Sequence, residues 1–279
     1  KCLLNNYEIN SFLTKDSEFK SKLEFKYNIV ADFTIDNTNF TGLVDTYETI
    51  FEKFKIEKSI FLDFVGFEKC QFGKVHDYNE KYVVVFMYAT FDSFVNFRNT
   101  VFHSGLNIEN INLKEPPNFL NTIISPINTN RETFRIVKYS FDAVGNVIEA
   151  NKFFAEEMRK YKEEIKKSDQ FDRKFILFYN DTFSNFGQSY IKPIGWIIAL
   201  AILQYFIQIG YEENLLYRKE MPINEFFSCI TNKLNEIAKF IIPFDNKSPG
   251  MEFLTLMFYI FNSSLIWLTI VAIKRHTKR

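Results

Sequence analysis

Residues 25–40, FKYNIVADFTIDNTNF, carry the pattern that decides the fold, because Phe25, Val30, Ile35 and Phe40 stand at every fifth position. The beat continues at Ile50, Ile60, Val65 and Cys70 and breaks only at Asp45 and Lys55. A period of five matches neither the helical turn nor the alternation of a flat strand. It suits a β-solenoid, in which each short side of a coil turns one residue inward and leaves its neighbours to solvent. The polar stretch 73–81 interrupts the beat, which resumes at Phe86 and Phe91, slips by one to Phe97 and returns at Phe102. Such an insertion is expected as a loop on one face of the stack. Half of the 34 phenylalanines fall in the first 120 residues, which are also rich in Thr, Val and Asn and hold no proline before Pro116. A twisted antiparallel sheet would suit the same composition.

Ala89-Thr90-Phe91-Asp92-Ser93 and Val95-Asn96-Phe97-Arg98-Asn99 place a small residue two positions before a central Phe, and Ala31-Asp32-Phe33 is similar. In these units the chain resembles the pentapeptide-repeat proteins, which implies a right-handed β-solenoid over residues 1–127; most other units are degenerate. A closer resemblance is to bacterial membrane-associated proteins with degenerate repeats, a helical region and a two-span tail. It rests on residues 130–138 (NRETFRIVK), 149–155 (EANKFFA) with Met158, 241–244 (IIPF) and the Lys-Arg-rich end. The resemblance implies a bacterial inner-membrane location and an architecture. It assigns no catalytic, cofactor-binding or metal-binding residue.

Pro116, Pro117 and Pro126 mark the exit from the repeats, since proline withholds a donor from any ladder. A helical region over 128–188 follows. Phe134, Val137, Phe141 and Val144 step by three and four, with Asn130 placed to cap and Gly145 to stop the helix. Asn146 precedes a second helix whose stripe is Ala150, Phe154, Met158, Tyr161 and Ile165. The pair is expected to dock on the solenoid end, or to dimerise as a coiled coil. Phe171, Phe175 and Phe178 then share one face of a short helix, suited to a membrane interface or to packing below the next helices.

Two uncharged apolar runs, Pro193 to Tyr211 and Phe253 to Ile273, are each long enough as helices to approach the ~30 Å of a bilayer hydrocarbon core. They predict a transmembrane hairpin over 189–279, with buried helices of a soluble protein as the alternative. Lys274, Arg275, Lys278 and Arg279 set the topology by the positive-inside rule, so both termini are expected in the cytoplasm. The segment Glu212 to Glu252, with five Lys/Arg against seven Asp/Glu, is then extracytoplasmic and includes an amphipathic helix at 226–241. Within the spans, Gln204 and Gln208 share a helix face, and Asn262, Ser263 and Ser264 sit midway along the second run. These five are candidates for hydrogen bonds between helices or for lining a pore.

Balanced charge, 34 basic against 34 acidic residues, argues against a nucleic-acid partner. Cys2, Cys70 and Cys229 have no metal-ligand spacing, and the predicted topology separates Cys229 from the others, so no internal disulfide is expected. His76, His103 and His276 pair with no acidic or cysteine motif, and no Gly-rich phosphate loop exists. Glu156-Glu157 and Glu163-Glu164 point apart as helix neighbours and are expected on a solvated face. The sequence opens on Lys1 rather than Met, so no signal peptide is assigned. The functional expectation is a membrane-anchored scaffold that presents a cytoplasmic solenoid to a protein partner or to a second copy. Its competitor is an oligomeric channel or pore gated by the cytoplasmic domain; an enzymatic role, with its cofactors, has no residues to carry it.

Overall fold

The computed structural model describes residues 1–212 and 252–277. The chain divides into two compact units, Lys1–Ser168 and Asp169–Lys278. The division falls inside the region 128–188 read from the sequence as one helical segment.

The first unit begins with strands β1 (Cys2–Asn5), β2 (Glu8–Ile9), β3 (Phe12–Lys15) and β4 (Glu18–Phe19), one on each side of a coil. Every strand pair between coils is parallel, and the stack runs for about six turns, so a β-solenoid replaces the antiparallel alternative. Cys2 pairs with Leu23, Leu23 with Val44 and Val44 with Val65, which fixes the regular coil at 21 residues. Four sides of five would take one residue fewer, so the inward register steps by one at every turn.

That step corrects part of the sequence pattern. Phe25, Val30, Ile35 and Phe40 are all buried, but the next coil turns in Thr46, Phe51, Ile56 and Phe61. Ile50 and Ile60, expected in the core, are each 38 % exposed, and Asp45 and Lys55 are ordinary outward positions. The extra residue is accommodated at the corner 41–43, where Gly42 passes so close to the preceding coil that a Cβ would lie 2.6 Å from the Ser21 carbonyl carbon. In the fourth coil Val65 pairs with Val95 and Lys55 with Val85, so nine residues are inserted; they lie within the loop 73–83, which carries a 3-10 turn at Glu80–Tyr82. Beyond it Phe86, Phe91, Phe97 and Phe102 are buried, as the resumed beat requires.

Two corners per coil use left-handed backbone. Asn6, Asp16, Tyr27, Asn37, Glu48, Lys58 and Lys69 have positive φ at alternating spacings of ten and eleven. The residue after each of the last five, Asn28, Thr38, Thr49, Ser59 and Cys70, is buried. Their backbone N–H groups leave the ladder here and need other acceptors. At two of these corners a side chain of the adjoining coil supplies the acceptor, the Asn28 N–H donating to Thr49 Oγ1 (3.4 Å) and the Thr38 N–H to Ser59 Oγ (3.1 Å), whereas the Cys70 N–H turns to the Phe67 carbonyl (3.3 Å). Cys2 and Cys70 are free thiols, and burial pushes the Cys70 thiol up to about 12; Cys229 lies outside the described residues.

Between the corners the interior is tiled with phenylalanine. Phe19, Phe40, Phe61 and Phe91 stack face to face with centroids 4.9, 4.8 and 4.9 Å apart, one ring per coil. Phe12, Phe33 and Phe54 form a second column, and Phe51, Phe72 and Phe102 a third. These spacings repeat the strand separation of about 4.8 Å, because equivalent side chains of a solenoid are held at the hydrogen-bonding distance of their strands.

Helices α1 (Arg131–Ala143) and α2 (Val147–Glu164) close the far end of the stack, capped by Asn130 and Asn146 as their sequence requires. Thr133 Oγ1 and Thr129 Oγ1 accept the Ile108 and Leu106 N–H groups at 3.0 Å each, bonds that a further coil would otherwise make. Phe134, Val137 and Phe141 are buried, whereas Val144, beyond the last helical residue, is exposed. Of the predicted stripe, Ala150 and Ile165 are buried, while Phe154, Met158 and Tyr161 between them are only half-buried. Phe153 rather than Phe154 stacks on Phe141, at 5.5 Å, and Ala150, Ala155 and Glu157 are the buried positions within the helix. Glu157, expected in solvent, is pulled inward by two guanidinium groups: its Oε1 lies 3.3 Å from Arg135 Nε and 3.9 Å from Arg131 Nε. Arg131 in turn sits 4.0 Å over the Tyr161 ring.

Candidate functional site

The second unit holds α3 (Phe171–Ser184), α4 (Ile191–Glu212) and α5 (Glu252–Thr277). Both long helices are apolar around most of their circumference, a composition shared by helices buried in a protein core and helices in a membrane. Their seam is built from Ile197, Ala201, Gln204 and Tyr205 on α4 against Asn262, Leu265, Leu268 and Ala272 on α5, all buried. Ala201 and Ala272 are completely covered, and such small residues let two helices approach closely. The pair is antiparallel, because the last turn of α5 meets the start of α4: the Arg275 guanidinium donates to the Phe186 carbonyl and His276 Nε2 lies 3.0 Å from the Gln188 carbonyl.

Helix α3 adds an aromatic brace. Phe183 packs against Trp196 at 5.1 Å and Phe261 at 5.5 Å, while Tyr179 meets Phe261 at 5.7 Å and hydrogen-bonds Ser264 through its hydroxyl. Phe171, Phe175 and Phe178, the face read from sequence, remain exposed. Tyr179 was open to the same reading, since it continues the Phe175 to Phe183 step of four.

The candidate polar residues separate. Gln204 is buried in the seam and its amide oxygen has no hydrogen-bond partner; Asn262 is completely buried. Ser263 is exposed, and Ser264 turns to Tyr179 and to the Phe261 carbonyl (2.7 Å). Gln208 belongs to α4, with its side chain outside the described residues, as are Lys278, Arg279 and the amphipathic helix expected at 226–241. Lys274 is exposed, and Arg275 is half-buried against the turn before α4.

Outside the seam the pair exposes a broad apolar surface. Ile191, Ile198, Leu203 and Phe206 on α4 and Phe253, Leu256, Met257, Ile260, Trp267 and Ile270 on α5 all face outward. Among the described residues one helix, Phe253–Thr277, is long and apolar enough to cross a membrane; the apolar part of α4, Ile191–Ile207, is shorter. No group of three or more His, Cys, Asp or Glu side chains among the described residues is placed to hold a metal. Compared with known proteins, the chain matches no family model, no curated protein and no solved structure.

Proposed function

We propose that the protein is a membrane-attached scaffold, with α4 and α5 crossing the bilayer as an antiparallel hairpin and the solenoid offering its faces to a protein partner. One observation carries the membrane half: only 22 % of the apolar window of α5 is buried, whereas a core helix of a soluble domain buries most of its surface. The uncharged run of α4 from Pro193 to Tyr211 would reach about 28 Å at 1.5 Å per residue, which supports it as the second span although its strongly apolar part, Ile191–Ile207, is shorter. Lys274 and Arg275 favour a cytoplasmic location for that end of the pair, and with it for both termini. The resemblance to bacterial pentapeptide-repeat proteins favours an inner membrane, and the five-residue sides of the coil support that kinship.

The scaffold half rests on the solenoid, whose extended flat sides suit protein recognition. Burial of Gln204 and Asn262 between helices of one chain favours a packing role over the lining of a pore. The test joins two measurements on the full chain: affinity capture from detergent extract, and conductance after reconstitution into a planar bilayer. A stoichiometric partner with a silent bilayer is expected. Reproducible single-channel currents without any co-purifying partner would replace the scaffold by the channel.

A further inference from the structure

At the end of the hairpin where α4 starts and α5 stops, side chains of α5 close on the turn before α4. Arg275 donates to the Phe186 carbonyl, and its side chain fills the space beside Gly187, where at φ +79° a Cβ would meet the guanidinium. His276 reaches the Gln188 carbonyl at 3.0 Å and its ring lies 6.3 Å from that of Tyr190. The turn 185–190 is thereby clasped by the last turn of α5. Lys192, two residues past Tyr190, and Lys274, two before His276, are brought to the same end, both exposed.

No Asp or Glu occurs in 182–211 or in 253–279, so no carboxylate of either long helix offsets these cations at this end. The nearest acidic residue in sequence, Asp181, lies on α3 one turn before the clasp, and the opposite end of the pair is bounded by Glu212 and Glu252. Just inward of the lysines the surface is apolar, with Ile194, Ile270 and Ile273 exposed. Cationic heads above an aliphatic wall complement one kind of partner, an amphiphile with a negatively charged head and hydrocarbon tails. Lysine suits the position, since its stem lies along apolar surface while the ammonium reaches a polar group.

We propose that this clasped end is a binding site for anionic phospholipid headgroups, with Lys192 and Lys274 meeting the phosphate and the isoleucine wall receiving the acyl chains. The site depends on the membrane reading given above, and the experiment separates the two. The full chain is reconstituted into vesicles of phosphatidylcholine mixed with phosphatidylglycerol, then extracted in mild detergent, and the retained lipid is identified by mass. Phosphatidylglycerol is expected to be enriched over the bulk, by about fivefold for each lysine engaged. The enrichment should fall when salt is raised from about 0.1 M to about 1 M, where screening shortens from about 10 Å to about 3 Å. The Lys192→Gln, Lys274→Gln double variant should return to the bulk ratio, while Lys58→Gln on the solenoid keeps the enrichment. Insertion without enrichment, or enrichment indifferent to the double variant, would overturn the headgroup site and leave the hairpin standing. Loss of bound lipid to inorganic phosphate at constant ionic strength would show a site for a soluble anion instead and equally overturn it. Failure to enter vesicles of pure phosphatidylcholine would remove the membrane reading itself.

Discussion

Glu157 shows how a single residue can be misjudged from its sequence surroundings. As one of five glutamates in the charged α2, it reads as solvated, yet it is the position at which the helix turns a carboxylate toward Arg131 and Arg135 of α1. Replacing it with Gln keeps the volume and removes the charge, and should lower the stability of the first unit by about 2 kcal/mol in urea titration. Glu156 to Gln, one position away, should cost less than about 0.5 kcal/mol. Lys58 offers the opposite case. It holds φ near +47°, a conformation that burdens a β-carbon, and its side chain is exposed. Lys58→Gly should therefore raise stability by about 1 kcal/mol, and no change in the urea midpoint would mean that the corner is not strained.

At the level of elements, the solenoid was legible in the sequence in its side length but not in its coil length. Five-residue sides appear in Phe25 to Phe40 because each inward residue must match the one above it; the sixth residue at the corner near Gly42 is invisible to a search for a single period. A single five-residue period therefore points Ile50 and Ile60 inward, whereas the fold buries Phe51 and Phe61. The caps of α1 and α2 were readable in advance, since Asn130 and Asn146 act on their own helices. The face of α2 was not, because an alanine-and-glutamate line against α1 competes with a more hydrophobic stripe that the fold leaves half-covered. The phenylalanine columns make a further prediction. Phe72 touches stacked rings above and below, Phe51 and Phe102, at 5.1 and 5.0 Å. Phe72→Ala should cost about 3–5 kcal/mol, and a loss under about 1 kcal/mol would show that the columns fill space without cohesion.

For the molecule as a whole, the two units distribute their apolar residues in opposite ways. The first unit covers its core with coils at every level and helices at one end, and its Asn, Thr and Ser corners bond backbone across coils. The second inverts this, with alanine, leucine and buried amides inside and Ile, Phe, Trp and Met outside. Of the candidate site, the apolar runs, their hairpin order and the basic end were legible from composition; the clasp of Arg275 on the turn before α4 was not, because it joins residues 89 apart through a side chain and a backbone carbonyl. The central claim is that this outward apolar surface meets lipid. The chain's two tryptophans, Trp196 and Trp267, are both exposed on it, Trp196 with one side against Phe183, so tryptophan emission reports on this surface. After reconstitution into vesicles with brominated acyl chains, the account predicts a blue-shifted tryptophan emission quenched by bromine and shielded from aqueous iodide. Emission near that of tryptophan in water, quenched by iodide and untouched by the brominated lipid, would contradict it.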